Sequence, residues 1–263
     1  RIQKFCCVFF SGARKDQGMM RVQSIIYLSG FPQPGARAAL RSLLALEERA
    51  MVPYNPIRFK PASEETDSRI LVANLVAKSG GDPEAAGVLL RGVDSSRPAE
   101  VLTATCLALG ALRDPQGLPF LREALRHPEG EVGSAAVQAL GHIPAPEAFE
   151  VLKGAASHPA LQVRVDLLSS LETRDEPGVA DLVMTMAASD PSPAVRGLAI
   201  QQLERHPGAA VVPFLIDRLG RDAPARDAAL QALTRITGQA LGPRPERWSR
   251  WWSQNRPGPA GGG

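Results

Sequence analysis

Apolar residues recur along this chain with two nested periods. Leu109, Leu140, Leu171, Leu203 and Leu233 stand 31, 31, 32 and 30 residues apart. Three residues before each leucine come Cys106, Val137, Leu168, Ile200 and Leu230. Eight before come Val101, Val132, Val163, Val195 and Ala225, and five before come Ala104, Ala135 and Ala228 in three of the units. Offsets of 3, 5 and 8 share one face of a helix with 3.6 residues per turn and do not fit the alternation of a strand. A fixed period near thirty residues predicts a stacked array of helical repeats.

Proline divides each period into two helices. One set marks the middle of the units: Asp82-Pro83, Asp114-Pro115, Pro144 and Pro146, Glu176-Pro177 and His206-Pro207. The other marks the breaks between units: Pro98, Pro128, Pro159, Pro191 and Pro224. Proline starts a helix well and stops one already running. Regular units are therefore predicted over 66–94, 97–127, 130–158, 161–189 and 193–221, with a last one from Ala225-Arg226. Their second helices carry Leu89, Leu121, Leu152, Val183 and Leu215. Asp82, Asp114 and Asp190 precede prolines and can cap the following helix.

The ends depart from the period. Residues 1–18 read as an unstructured leader. The run Phe5–Phe10 behind Arg1 and Lys4, followed by Ser11-Gly12-Ala13, is also compatible with the remnant of a secretory signal. Residues 19–51 read as a degenerate first repeat, in which Ile25, Leu28 and Pro32 fall where Ile200, Leu203 and Pro207 fall later. Pro53, Pro56 and Pro61 then make 52–65 an insertion loop. The array proper is expected over 66–256. It closes with a helix over 245–255 whose Trp248, Trp251 and Trp252 share one face and cover the apolar end of the last hairpin near Leu230, Leu233 and Ile236; the alternative is that they stack on a single strand with Arg244, Arg247, Arg250 and Arg256 on its phosphates. Arg247 and Arg250 should point to solvent. Residues 257–263, rich in Gly and Pro, read as a disordered tail.

Composition narrows the choice of function. Hydrophobic residues make up 44% but aromatics only 5%, so small and aliphatic side chains do the packing. The net charge of +3 is uneven: residues 1–21 carry +4, residues 235–256 carry +4, and 22–234 carry −5. A nucleic-acid groove along the array would need a basic stripe, and the slightly acidic middle argues against specific nucleic-acid binding. No stretch reaches the ~18–20 apolar residues that span a bilayer. Cys6, Cys7 and Cys106 have neither disulfide-framework nor zinc spacing, and Cys106 lies in a core column.

The candidate chemistry is sparse. Gly-x-Ser-x-Gly, His-Glu-x-x-His and a Gly-rich phosphate loop are all missing, so no nucleophile, metal ligand or cofactor is assigned. Arg164, Arg196 and Arg226 form a ladder at one repeat position. A functional reading has them grip an anionic ligand; the structural reading, which the repeat position favours, has each pair with an acid or a helix-end carbonyl of a neighbouring unit. His127-Pro128 and His158-Pro159 are equivalent positions in successive units. Packed helices lie 8–10 Å apart, too far for two such rings to share an ion, and placement at a helix C-terminus explains them instead. Asp166, on an otherwise apolar face, should be satisfied by Arg164 or Arg196.

The units resemble HEAT repeats, specifically the short bacterial type of the phycobilisome-lyase-like group. Val163-Arg164, Val195-Arg196 and Ala225-Arg226 match the opening of that unit. Ala135-Ala136 and Ala228-Ala229 match its middle. Ala108-Leu109-Gly110 and Ala139-Leu140-Gly141 match the end of its first helix, and Asp82-Pro83 and Asp114-Pro115 match its turn. Leu102 in place of the arginine and Asp166 in place of alanine are departures. The resemblance implies an all-α fold, an α-α superhelix or HEAT-like solenoid of about six or seven helical hairpins. First helices would form the convex side and second helices the concave side.

The implied function is a non-catalytic, cytoplasmic scaffold that binds a protein or peptide on the concave face, without a cofactor. Export is the alternative if residues 1–13 are a signal remnant. Arg122, Glu123, Arg126, Glu150, Lys153, Asp181, Asp217, Arg218 and Arg221 are the candidate contacts, and their mixed signs suit protein better than a polyanion. The family's naming suggests a bilin-lyase subunit as the enzyme alternative. HEAT-like DNA glycosylases suggest a nucleic-acid alternative, which the −5 charge opposes.

Overall fold

The computed structural model describes residues 84–91, 93, 98–206 and 208–255. The leader, the degenerate repeat at 19–51, the insertion at 52–65, the first helix of the 66–94 unit with Asp82-Pro83, and the tail at 257–263 lie outside the described residues. Every regular element among the described residues is helical. In order these are α1 (Ala85–Leu90), α2 (Ala99–Leu112), α3 (Leu118–Ala124), α4 (Gly130–His142), α5 (Pro146–Leu152), α6 (Leu161–Leu171), α7 (Val179–Ser189), α8 (Pro193–Gln202), α9 (Val211–Arg221), α10 (Arg226–Thr237) and α11 (Pro245–Asn255). Short 3-10 turns at Pro115–Gly117, Lys153–Ser157, Leu203–Arg205 and Ala223–Ala225 extend several of them.

The helices break where proline and its partners dictate. Asp114 Oδ1 accepts from the Gln116 backbone N–H at 2.9 Å, and Asp190 Oδ1 accepts from Ser192 N–H at 2.8 Å. Both aspartates thus satisfy a donor that the next helix start leaves open. After Pro177, Gly178 adopts φ 96°, a left-handed conformation that other residues adopt at a cost, and α7 begins.

The predicted columns form the core. Leu109, Leu140, Leu171, Leu203 and Leu233 are all fully buried, as are Val132, Val163 and Val195. Leu121, Leu152, Val183 and Leu215 of the second helices are buried too. Each such side chain contributes about 1.5–3 kcal/mol of hydrophobic stabilisation. The columns loosen at Val101 and Leu230, which are only half-buried. Leu230 lies on α10, after which no further first helix follows among the described residues.

The chain divides into two compact units, 1–148 and 149–263, with the division falling inside α5. In the first unit, α2 packs along α4, α3 packs on α4, and α1 packs on α2. In the second, α6 packs on α8 and α8 on α10, while α7 packs on α8 and α9 on both α7 and α10.

The α2–α4 contact is close because of one residue. A Cβ on Gly110 would sit 2.7 Å from Ala139 Cα and 3.0 Å from its Cβ. Alanine at 110 would gain about 1 kcal/mol in helix propensity, but relieving a backbone clash costs about 1–3 kcal/mol. Gly110→Ala should therefore lower the denaturant midpoint, whereas Gly197→Ala, with open space at its Cβ position, should not. An unchanged midpoint in Gly110→Ala would show that α2 and α4 can separate at no cost.

Candidate functional site

Two arginines of the ladder, Arg164 buried and Arg196 half-buried, belong to a repeated construction. Arg164, on α6, grips Asp190 through Nε–Oδ2 at 2.8 Å and Nη2–Oδ1 at 3.2 Å. Its Nη1 donates to the carbonyls of His158 at 2.7 Å and Pro159 at 3.1 Å. Arg196, on α8, repeats the arrangement one unit on: Nε–Oδ2 of Asp222 at 2.8 Å, Nη2–Oδ1 at 3.3 Å, and Nη1 to the Asp190 carbonyl at 2.9 Å. Bidentate Arg–carboxylate geometry holds a fixed orientation. Each rung ties a first helix to the turn that opens the following unit. These two rungs are therefore structural, as their repeat position implies. The acids were the harder part to foresee. Asp190 reads as a cap and Asp222 had no assigned role; the signal was the common separation of 26 residues from each arginine.

Asp222 carries a pH consequence. Its hydrogen bonds from Arg196 hold its carboxyl below the ordinary range, and the same contact raises the Arg196 guanidinium further. A carboxylate depressed in the folded state stabilises fully above its unfolded pKa of about 4 and loses that contribution as pH falls through the folded value. Urea midpoints should thus drop below about pH 4, and Asp222→Asn should flatten that drop while lowering the midpoint at neutral pH. Identical pH profiles for the two proteins would contradict the assignment.

A second ladder was not anticipated. Arg205 meets Glu172 at 3.3 Å, and Arg235 meets both oxygens of Glu204 at 3.1 Å. In each pair an acid just after one core leucine meets an arginine two residues after the next. These groups are largely exposed on the arginine side, so they add little stability.

The histidines add to the sequence reading and Asp166 corrects it. His127 Nδ1 accepts from Glu129 N–H at 3.2 Å and His158 Nδ1 from Ala160 N–H at 3.1 Å. The imidazole does there what the Asp190 carboxylate does at the equivalent turn. Both residues stand just past a helix C-terminus, as expected, with backbone N–H bonds to the Ala124 and Ala155 carbonyls. Asp166 is half-exposed and accepts from Gln162 Nε2 at 2.9 Å, so neither Arg164 nor Arg196 satisfies it. Burial pushes the Cys106 thiol up to about 12, which leaves it protonated and unreactive at neutral pH.

The nine candidate contacts fall into different states. In the first unit, α3 exposes Arg122 and Glu123, and Arg126 follows it. None of the three has an ion-pair partner among the described residues. In the second unit, Glu150 and Lys153 pair at 2.7 Å, with Lys153 also over the Phe149 ring at 4.9 Å. Asp181 is exposed on α7. Asp217 binds both Arg218 and, at 2.7 Å, Arg221, and Arg218 lies 5.5 Å from the Phe214 ring centroid. Asp217 and Arg218 are half-buried and already engaged, so they are less available than the sequence suggests.

The tryptophans do not act as a uniform set. Trp248 is fully buried and its Nε1 donates to the Gly242 carbonyl at 2.8 Å. Trp251 and Trp252 are half-buried, with ring centroids 6.2 Å apart. Arg247 and Arg250 are exposed, as expected. The helix packs against α9, with Pro245 beside Gly220, rather than chiefly over Leu230, Leu233 and Ile236 of α10. The seven-residue connection 238–244 is long enough to return the chain to α9.

Fold and site together define an all-α array of helical repeats in which Arg164–Asp190 and Arg196–Asp222 bind one repeat to the next. A model of HEAT repeats matches residues 62–141, 87–172 and 154–234. The chain belongs to the HEAT-repeat family, and its fold is of the α-α superhelix class. No curated protein matches it. No described helix is long and apolar enough to cross a membrane.

Proposed function

We propose that the chain is a non-catalytic scaffold that binds a protein or peptide through its second helices, the concave side in the sequence reading. Residues 66–256 would act as one binding array, working in the cytoplasm. The observation that carries this reading is the contrast between the two sets of arginines. Arg164 and Arg196 are locked into the fold. Arg122 and Arg126 stand in solvent one turn apart with Glu123 beside them. Exposed charges with no internal partner are available to a partner, and mixed signs give register and selectivity rather than affinity for a polyanion. In the second unit Asp181 is exposed in the same way, while Glu150, Lys153 and Arg221 are exposed but already paired.

Charge reversal tests it. Arg122→Glu with Arg126→Glu should leave thermal unfolding unchanged, because both positions are exposed. It should also weaken capture of the partner by roughly tenfold or more, as loss of two interfacial charges does. Equal capture by the variant and the parent chain would remove these residues from the interface. Nucleic acid should bind weakly at ~150 mM salt, where phosphate contacts are screened. Tight binding by the complete chain, lost on charge reversal of Arg122 and Arg126, would favour a nucleic-acid partner.

A further inference from the structure

The ladder has an open last rung. Arg226 holds the same repeat position as Arg164 and Arg196, but the acid is missing: 26 residues on stands Trp252. The last turn is also two residues shorter, with Asp222 four residues before Arg226 where Asp190 is six before Arg196. As a result the guanidinium reaches back through Nε, to the Leu219 carbonyl at 3.3 Å. In the complete rungs Nη1 takes the carbonyl six residues back, of His158 or Asp190, and Nε with Nη2 takes the carboxylate. Here Nη1 and Nη2 are both left without a partner among the described residues, and Arg226 is exposed. It is also the first residue of α10, where the helix dipole disfavours a cation.

We infer that Arg226 is a docking point for a carboxylate supplied by a protein partner, held by the free Nη1–Nη2 fork. The two complete rungs define the chemistry that fits. The acid is an aspartate at a turn just before a helix, as Asp190 and Asp222 are. A carboxylate accepts two parallel N–H bonds from such a fork, and the Leu219 carbonyl fixes the guanidinium plane beforehand. The inference does not use the second-helix surface, so either reading can fail while the other stands.

The probe is a synthetic peptide of residues 186–200, which carries the Asp190 turn sequence, with an Asp190→Asn peptide as control. It is added to the full chain while the arginine side-chain Nε–H resonances are followed by NMR. The aspartate peptide should shift the Arg226 signal in a saturable, salt-sensitive way. The Asn peptide, and Arg226→Gln protein with the aspartate peptide, should bind roughly tenfold or more weakly, the scale of a lost charge-assisted hydrogen bond. Arg122→Glu/Arg126→Glu protein should bind the peptide normally. No shift at Arg226, or equal binding by the two peptides or by Arg226→Gln, would overturn the inference.

Discussion

Arg164→Ala should cost about 3–5 kcal/mol, the range for breaking a buried ion pair by removing one partner. Arg164 and Asp190 are each almost wholly buried. Truncation would leave the Asp190 carboxylate without its cation and remove the donor shared by the His158 and Pro159 carbonyls. The loss comes from the groups left behind more than from the pair itself. A partial rescue follows: Arg164→Met with Asp190→Asn should recover much of the loss, because the stranded charge is gone and asparagine still accepts from Ser192 N–H. Urea unfolding of the single and double variants, with Arg122→Ala as an exposed control within about 0.5 kcal/mol of the parent, measures this. A cost for Arg164→Ala no larger than that of Arg122→Ala would mean that the rung does not hold the repeats together.

Trp248→Ala should destabilise by about 3–5 kcal/mol, as truncating a buried tryptophan does. Trp248 is the largest fully buried side chain of the described residues. Because α11 lies on α9, hydrogen exchange should rise first in α9 and α11. Trp248→Phe should cost less, retaining most of the apolar area while giving up the bond to Gly242, a contribution of about 1 kcal/mol. Trp251→Ala and Trp252→Ala, at half-buried positions, should each cost less than Trp248→Ala. A loss of protection confined to α10, or an equal cost at all three tryptophans, would contradict this packing.

The fold was legible because its signals are periodic. Leu109 and its four successors are diagnostic only as a set, since a column of buried residues leaves the same offsets in every unit. The prolines were legible for the same reason, as their covalent geometry acts locally. Partners across a turn were harder to see. Arg164 and Asp190 meet because a whole helix, α7, runs between them, and that separation becomes visible only when Arg196 and Asp222 repeat it. The histidine turns show a different limit. His127 and His158 were recognised as equivalent, but which ring nitrogen meets which backbone group depends on a side-chain torsion that periodicity does not encode. The α11 helix was found from its tryptophans, yet its docking on α9 depends on the path of residues 238–244, which carry no repeat signal. For the candidate contacts, sequence marked exposed faces correctly at Arg122, Glu123 and Arg126. It could not foresee that Asp217 would engage Arg218 and Arg221.

The central claim is that internal charges hold the array together and second-helix charges meet the partner. Site-specific photocrosslinking reads it most directly. A photoreactive residue at Arg126, which follows the second helix α3, should give crosslinks to the partner in the source cell. The same residue at Gln138 on the first helix α4, also exposed, should give none. Crosslinks at 138 and none at 126 would place the partner on the first helices and contradict the account.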